Sequence, residues 1–436
     1  MRVLDCDMKL TKERLIAHVP ALGWLAGACF AVVCEYFLGT PLALLLGMPK
    51  RPVLFGCTIA LKKPLLLPSA LIYVLVIYLL PVISIAWFSS SLTNRLAAAL
   101  LRFSPRVSVA VHLFVFYLIL HLWSSLSAYR VIMLKLTLIS VMLTLSLNVI
   151  NGYMGEFSCS HPGFMALGAY AASTFTVMLF VNDKLFGPPF LPSYLGPYLF
   201  PLALIVGGLT AAPAALLIAI PSFRTRGDYL AIISLAFMFI VKSAIENLEV
   251  VGGPRGLSSQ PNYASLPTVF IWTVVCIWMI NNFIRSILGK ALNAVRDNEL
   301  AAEAMTINTR RTKIVSFLFS AFWAGVAGGL FAHVLRYVNP GTFGIQKLAE
   351  LLAMVYFGGL NSVYGSIVGA VSLSILSEAL RPFELFKWII IPLLLIVVMI
   401  FRPTGLIAFR EFNMEKIIKP KVHKEKEPPH VNASDS

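Results

Sequence analysis

Long apolar runs, separated by short charged connections, occupy almost the whole chain. A helix needs about 20 mostly apolar residues to cross a bilayer, because its backbone amides find no water there. Residues 22–46, 68–88, 108–128, 131–150, 198–220, 229–247, 267–287, 314–335 and 388–405 meet that need. Residues 347–380 form a double-length run broken at Gly358-Gly359-Leu360-Asn361-Ser362, which predicts two short helices and a hinge. Pro81 interrupts the second run and predicts a kink. With a further segment after Asn151, the pattern predicts an all-α polytopic integral membrane protein of about 10–12 transmembrane helices.

Three stretches depart from this pattern. Gly289–Asn308, reading GKALNAVRDNELAAEAMTIN, is polar and helix-prone and lies between two apolar runs. Leu292, Val295, Ala302 and Met305 recur at helical spacing, and Glu299 and Glu303 stand four apart on one side. An acidic amphipathic helix between spans suits docking onto a soluble partner, and an ordinary solvated loop helix fits the pattern equally. In Asn151–Ser173, Gly152, Gly155, Gly163 and Gly168 occur with Ser158, Ser160, His161 and Tyr170. Small residues there serve either close helix packing or the lining of a pathway. Val251–Ser259 carries Gly252, Gly253 and Gly256, which permit tight turns. A phosphate cradle is excluded, since G-x-x-x-x-G-K-[ST] occurs nowhere in the chain.

Composition agrees with the pattern. Of 436 residues, 58% are hydrophobic and 13% charged, with a mean hydropathy of +0.83, far from a soluble domain. The net charge of +15 is spread over connections and ends, which suits positive-inside orientation better than nucleic-acid binding. Arg285, Lys290, Arg296, Arg310, Arg311 and Lys313 are the strongest inside signal; Arg95, Arg102, Arg106, Arg224 and Arg226 add to it. Alternation then places Lys50–Lys63 outside despite its basic residues. The N-terminus lacks a signal-peptide pattern and is expected uncleaved and cytoplasmic, and the charged tail 409–436 is expected to be disordered. Glu35 is the one charge embedded in the first run; Arg130 and Lys135 can snorkel. Glu35, Lys135 and Glu378 form no evident group, which argues against an ion-coupled carrier. Lys242 and Glu246, four apart, can pair. The scattered cysteines read as small buried hydrophobes, and His333 as an interfacial or packed histidine, so neither metal nor cofactor is expected. H-E-x-x-H, G-x-S-x-G and paired carboxylates are absent, so no catalytic residue is expected.

Four stretches in one order resemble the permease subunits of bacterial ABC importers for branched-chain amino acids, the M-type subunit most of all. The first has Gly152, Gly155, Ser158, His161, Phe164 and Gly168-Ala169-Tyr170; Ser160 replaces a usual Gly. The second is Arg226-Gly227-Asp228-Tyr229-Leu230-Ala231-Ile232. The third is Gly252-Gly253-Pro254-Arg255-Gly256-Leu257, with Val251 for Thr. The fourth joins Gly289–Asn308 and its distal hinge to Arg402-Pro403-Thr404-Gly405-Leu406. Glu303-Ala304-Met305 is similar to the start of the importer EAA loop, where Thr306 replaces a usual Gly. The resemblance covers about residues 135–408, which implies an N-terminal extension at 1–130 with about three spans and a permease core at 131–408 with a coupling helix at 289–308. It implies a non-catalytic subunit of the bacterial inner membrane that works with a second permease, in a heterodimer, two ABC ATPase subunits and an extracytoplasmic substrate-binding protein. Leucine, isoleucine and valine are the implied cargo; a sister permease for urea or short amides shares nearly all these motifs. Arg296, Asp297, Glu299, Ala302, Glu303, Ala304 and Met305 are the implied ATPase-coupling residues. The implied pathway and hinge positions are Gly152, Gly155, Ser158, His161, Gly163, Gly168, Tyr170, Gly252, Gly253, Gly256, Gly358 and Gly359.

Overall fold

The computed structural model describes residues 19–48, 64–183, 186–223, 229–402, 404–409, 412–414 and 418–419. The connection Lys50–Lys63, the Arg224–Asp228 part of the second motif, Pro403 and most of the tail lie outside the described residues. The chain divides into two compact units, Met1–Arg130 with Asn413–Ser436, and Val131–Phe412.

The first unit holds α1 (Ala21–Leu45), α2 (Leu67–Phe88), α3 (Ser90–Phe103) and α4 (Pro105–Ser125). A π-helical turn at Leu75–Leu79 sits just ahead of Pro81, where the proline ring and its missing N–H disturb the regular ladder. Gly27 lets α1 meet the backbone of Val82 in α2. The connection bearing Arg95 and Arg102 is helical, with Leu92, Leu96 and Phe103 exposed and Thr93 and Ala97 buried. One expectation is corrected here. Arg130 does not snorkel: it is buried and grips Glu35 through two bonds of 2.6 and 3.1 Å. Arg130 also donates to the Trp123 carbonyl at 3.4 Å and lies 4.8 Å over the Trp123 ring. A carboxylate within an apolar helix requires such a partner, since an unpaired buried charge is far costlier than a paired one.

The second unit takes in α5 (Ala128–Met154) from Val131 onward. It continues with α6 (His161–Phe180), α7 (Gly196–Ser222), α8 (Tyr229–Asn247) and α9 (Leu266–Arg285). Two short helices follow, α10 (Ile287–Asp297) and α11 (Glu299–Ala304), then α12 (Thr309–Leu335), α13 (Ile345–Gly358), α14 (Val363–Ala379) and α15 (Glu384–Phe401). Strands β1 (Leu257–Ser258) and β2 (Tyr337–Val338) pair antiparallel, Leu257 opposite Val338. Among the described residues, 9 helices are long and apolar enough to cross a membrane, and shorter apolar helices cover Val363–Ala379 and Phe386–Phe401. The break expected at Gly358–Ser362 separates α13 from α14.

The core forms where α6, α7 and α12 meet through glycine. A β-carbon at Gly168 would collide with the backbone of Gly325, and one at Gly328 with the Met165 carbonyl. Close approach of this kind brings neighbouring helices into dispersion contact, the main force holding helices together in lipid. Phe164, Phe200, Phe317 and Trp323 fill the adjoining space. His333 is packed among them: Nε2 lies 2.9 Å from Thr176 Oγ1, Nδ1 lies 2.8 Å from the Gly329 carbonyl, and the ring meets Phe200 edge-on. Lys242 and Glu246 approach to 3.8 Å.

Candidate functional site

The pattern predicts one helix over Gly289–Asn308, and the structure divides it at Asn298. Asn298 adopts an extended backbone, and its side chain accepts the Ala301 N–H at 3.0 Å, so it ends α10 and caps α11. Ser286 caps α10 and Asn308 caps α12 in the same way, the latter accepting from Arg311 N–H at 2.9 Å. At the end of α11, Thr306 has φ 64°, in the left-handed region. Ile307 N–H bonds the Ala302 carbonyl at 3.1 Å and Thr306 N–H the Glu303 carbonyl at 3.0 Å, a Schellman closure that usually places glycine where Thr306 stands. The Ser160 substitution carries no such strain, with φ −79°.

One face of this element is buried through Leu292, Val295 and Ala302. Met305 does not join that stripe; it is 74% exposed, because the chain turns at the end of α11 before the next helical repeat. Ile287, Leu288, Leu300 and Met305 are exposed, as are Asp297, Glu303 and Ala304.

Lys313, near the start of α12, fastens the element to the core. Its Nζ lies 2.9 Å from Glu299 Oε1 and 2.9 Å from Glu156 Oε1, so one ammonium joins α11, α12 and the loop after α5. Glu303 is held as well, accepting from Thr309 Oγ1 at 3.0 Å. Arg296 reaches the Gly152 carbonyl at 3.4 Å and Asp297 Oδ1 at 2.7 Å, and its guanidinium lies 5.7 Å from the Phe409 ring. Gly155, with φ 77°, leaves the space that the Arg296 side chain fills.

The glycine-rich stretch thus meets the coupling stretch directly, and the distal hinge joins them. Asn148 donates to the Ser362 carbonyl at 3.1 Å and to Ser366 Oγ at 2.7 Å, and accepts Asn361 N–H at 3.3 Å. Gly152 packs on that same Asn361 backbone. Gly358 and Gly359 lie against the returning chain, where Ile407 N–H bonds the Gly358 carbonyl at 2.9 Å and Leu406 N–H the Phe357 carbonyl at 3.1 Å. The first and fourth of the motif stretches therefore converge at one end of the unit.

Ser158, His161, Gly163, Gly168 and Tyr170 are all buried. Ser158 Oγ lies 2.9 Å from Ser160 Oγ; His161 Nε2 lies 3.1 Å from Ser320 Oγ, which donates to the Ser146 carbonyl. Gly163 abuts Phe237, and Tyr170 OH donates to the Val338 carbonyl at 3.2 Å. These contacts support the packing alternative. Gly252, Gly253 and Gly256 all have positive φ and fold the third motif against β2, so it is separate from the coupling end. Among the described residues, no group of three His, Cys, Asp or Glu side chains could hold a metal ion.

Glu156 and Asn148 were not singled out by pattern, and Lys313 only as one of a basic cluster. Asn298 and Asn308 carried a readable signal, an Asn directly before a helix. The Lys313–Glu156 pair carried none, since the two stand 157 positions apart.

Residues 129–401 match the sequence model of the family described as branched-chain amino acid transport system / permease component. The high-affinity branched-chain amino acid transport system permease protein LivM of Escherichia coli K12 is 33% identical over 307 residues, covering 62% of this chain and 68% of the relative. LivM of Salmonella typhimurium is 32% identical over 311 residues, with the same coverage of both chains. The LivH permease of Salmonella typhimurium is 31% identical over 168 residues, covering 37% of this chain and 53% of the relative. No solved structure matches.

Proposed function

The chain belongs to the branched-chain amino acid transport permease family, and from that premise we propose that it is the M-type transmembrane subunit of an ATP-driven importer of leucine, isoleucine and valine. Relatives named LivM and LivH support a pathway built by two different permeases. The chain has no P-loop, so two partner ATPases supply hydrolysis, and a separate binding protein delivers cargo. Arg285, Lys290, Arg296, Arg310, Arg311 and Lys313 crowd around α10–α11, which supports a cytoplasmic position for that end in the inner membrane. Residues 1–130 form an extension to the permease core of 131–408.

One observation carries this reading. The α10–α11 pair buries Leu292, Val295 and Ala302 against the core and leaves Ile287, Leu288, Leu300 and Met305 exposed. An exposed apolar set rimmed by charge is the composition of a docking surface. Because Lys313 and Arg296 tie this element to α12 and to the end of α5, a push from a closing ATPase passes directly into the membrane helices.

The test is a Leu300→Asp, Met305→Asp double variant, expressed with its partner subunits. The expected result is normal membrane insertion, loss of the co-purifying ATPases and loss of labelled-leucine uptake. Full ATPase recovery with wild-type uptake contradicts the docking role. Uptake of urea in place of leucine by the wild-type complex transfers the cargo to the amide-permease class.

A further inference from the structure

Away from the coupling element, the second unit contains a cavity of about 200 Å³ walled by α5, α12, α13, α14 and α15. Its charged lining is Lys347, Glu350, Glu378 and Lys387. Lys347 Nζ lies 3.0 Å from Glu350 Oε2 and 5.8 Å from the Phe331 ring. Lys387 adds a second positive charge beside Glu350. Glu378 Oε1 meets Arg381 at 3.0 Å. Ser140 and Ser374 add hydroxyls, and Leu136 with Phe331 makes an apolar wall.

Ionisable groups among apolar helices are costly and often mark substrate or ion paths; here they gather at the ends of α13, α14 and α15. The sign and spacing of these charges indicate what fits. Glu350 faces two ammonium groups, which leaves a positive charge in excess for a carboxylate. Glu378 supplies an acceptor for an ammonium, and serine hydroxyls serve either end. The volume lies below the roughly 300–1,000 Å³ of sites for drug-sized ligands, so a single small molecule fills it. The cavity stands on the opposite ends of α13 and α14 from the Gly358–Ser362 hinge, hence away from the coupling end.

We propose that this cavity is a receiving site for a free α-amino acid zwitterion, with its carboxylate at Lys387 and Lys347, its ammonium at Glu378, and a small apolar side chain on Leu136 and Phe331. The proposal rests on the permease reading and names the place where that permease first holds its cargo.

The experiment uses the whole complex, with ATPases and binding protein, in lipid vesicles. ATP-driven uptake of labelled leucine by the wild type tests the permease reading alone. A diazirine analogue of leucine then tests the site by photolabelling and peptide mapping. Label is expected on the peptides bearing residues 133–143 or Phe331, displaced by leucine but not by leucinol, which lacks the carboxylate. Lys387→Met and Glu378→Gln are each expected to lower that label about tenfold, while Lys387→Arg retains it; one charge-assisted hydrogen bond accounts for a change of this size. Uptake by the wild type without label in these peptides overturns the site and leaves the permease reading standing. So does label that leucinol displaces equally, or that survives both charge-removing variants. Label with the expected competition but no uptake sustains the site and overturns the permease reading.

Discussion

Replacing Lys313 with methionine keeps an aliphatic stem in place and removes the one ammonium that binds α11, α12 and the loop after α5. The two carboxylate oxygens it holds at 2.9 Å each lie no more than about 6 Å apart. Without the cation they repel by roughly 1–3 kcal/mol, nearer the lower figure because both reach solvent. Each lost bond contributes about 0.2–1 kcal/mol in the exposed limit and about 1.5–3 kcal/mol when buried. Glu299 is 45% exposed and Glu156 27%, which places both near the exposed limit. Loosening of α11 by about 2 kcal/mol in total follows. The assay is amide hydrogen exchange of residues 299–307, where the Met305, Thr306 and Ile307 N–H groups report helix closure. Exchange there should quicken about thirtyfold, since 1.36 kcal/mol is a factor of ten. Amides of α10 serve as the internal reference. Lys313→Arg should stay near wild type, and adding Glu299→Gln to Lys313→Met should restore part of the protection by removing the repulsion. Unchanged exchange in Lys313→Met would refute the claim that this cation holds the element.

Three further outcomes are expected. Thr306→Gly relieves a β-branched residue of its left-handed backbone, worth about 1–2 kcal/mol, against an entropic loss of about 0.5–1 kcal/mol; α11 amides should exchange about twofold to fivefold more slowly, and faster exchange would contradict the strain. Gly168→Val drives a side chain into the Gly325 backbone, a loss of more than about 3 kcal/mol that should abolish the monodisperse peak in detergent; elution as wild type would exclude the tight α6–α12 contact. Glu35→Gln leaves Arg130 buried without its anion and should lower stability by about 3–5 kcal/mol in thermal unfolding, whereas Glu35→Gln with Arg130→Met should recover most of it; equal losses in the two variants would refute the cost of an unpaired Arg130.

Glu299 and Glu303 are not a free acidic face. Their spacing suggests a free acidic face for a partner. In the fold, Glu299 belongs to Lys313 and Glu303 to Thr309. The large apolar residues that remain exposed are Ile287, Leu288, Leu300 and Met305, so the proposed docking surface is chemically unlike the one the helical repeat suggests.

Hydropathy and run length alone determined where the spanning helices lie and where one double-length run breaks, because a segment in lipid must satisfy its own amides whatever surrounds it. The ordered motifs likewise determined the family, being local strings that need no partner to be read. Only the tertiary structure decided which charges distant in sequence meet. Glu35 with Arg130 and Glu156 with Lys313 are separated by 95 and 157 positions, and no local period connects residues so far apart. It also decided that Gly168 is a helix contact, since a small side chain reads the same along the chain whether a neighbouring backbone or an open passage lies against it.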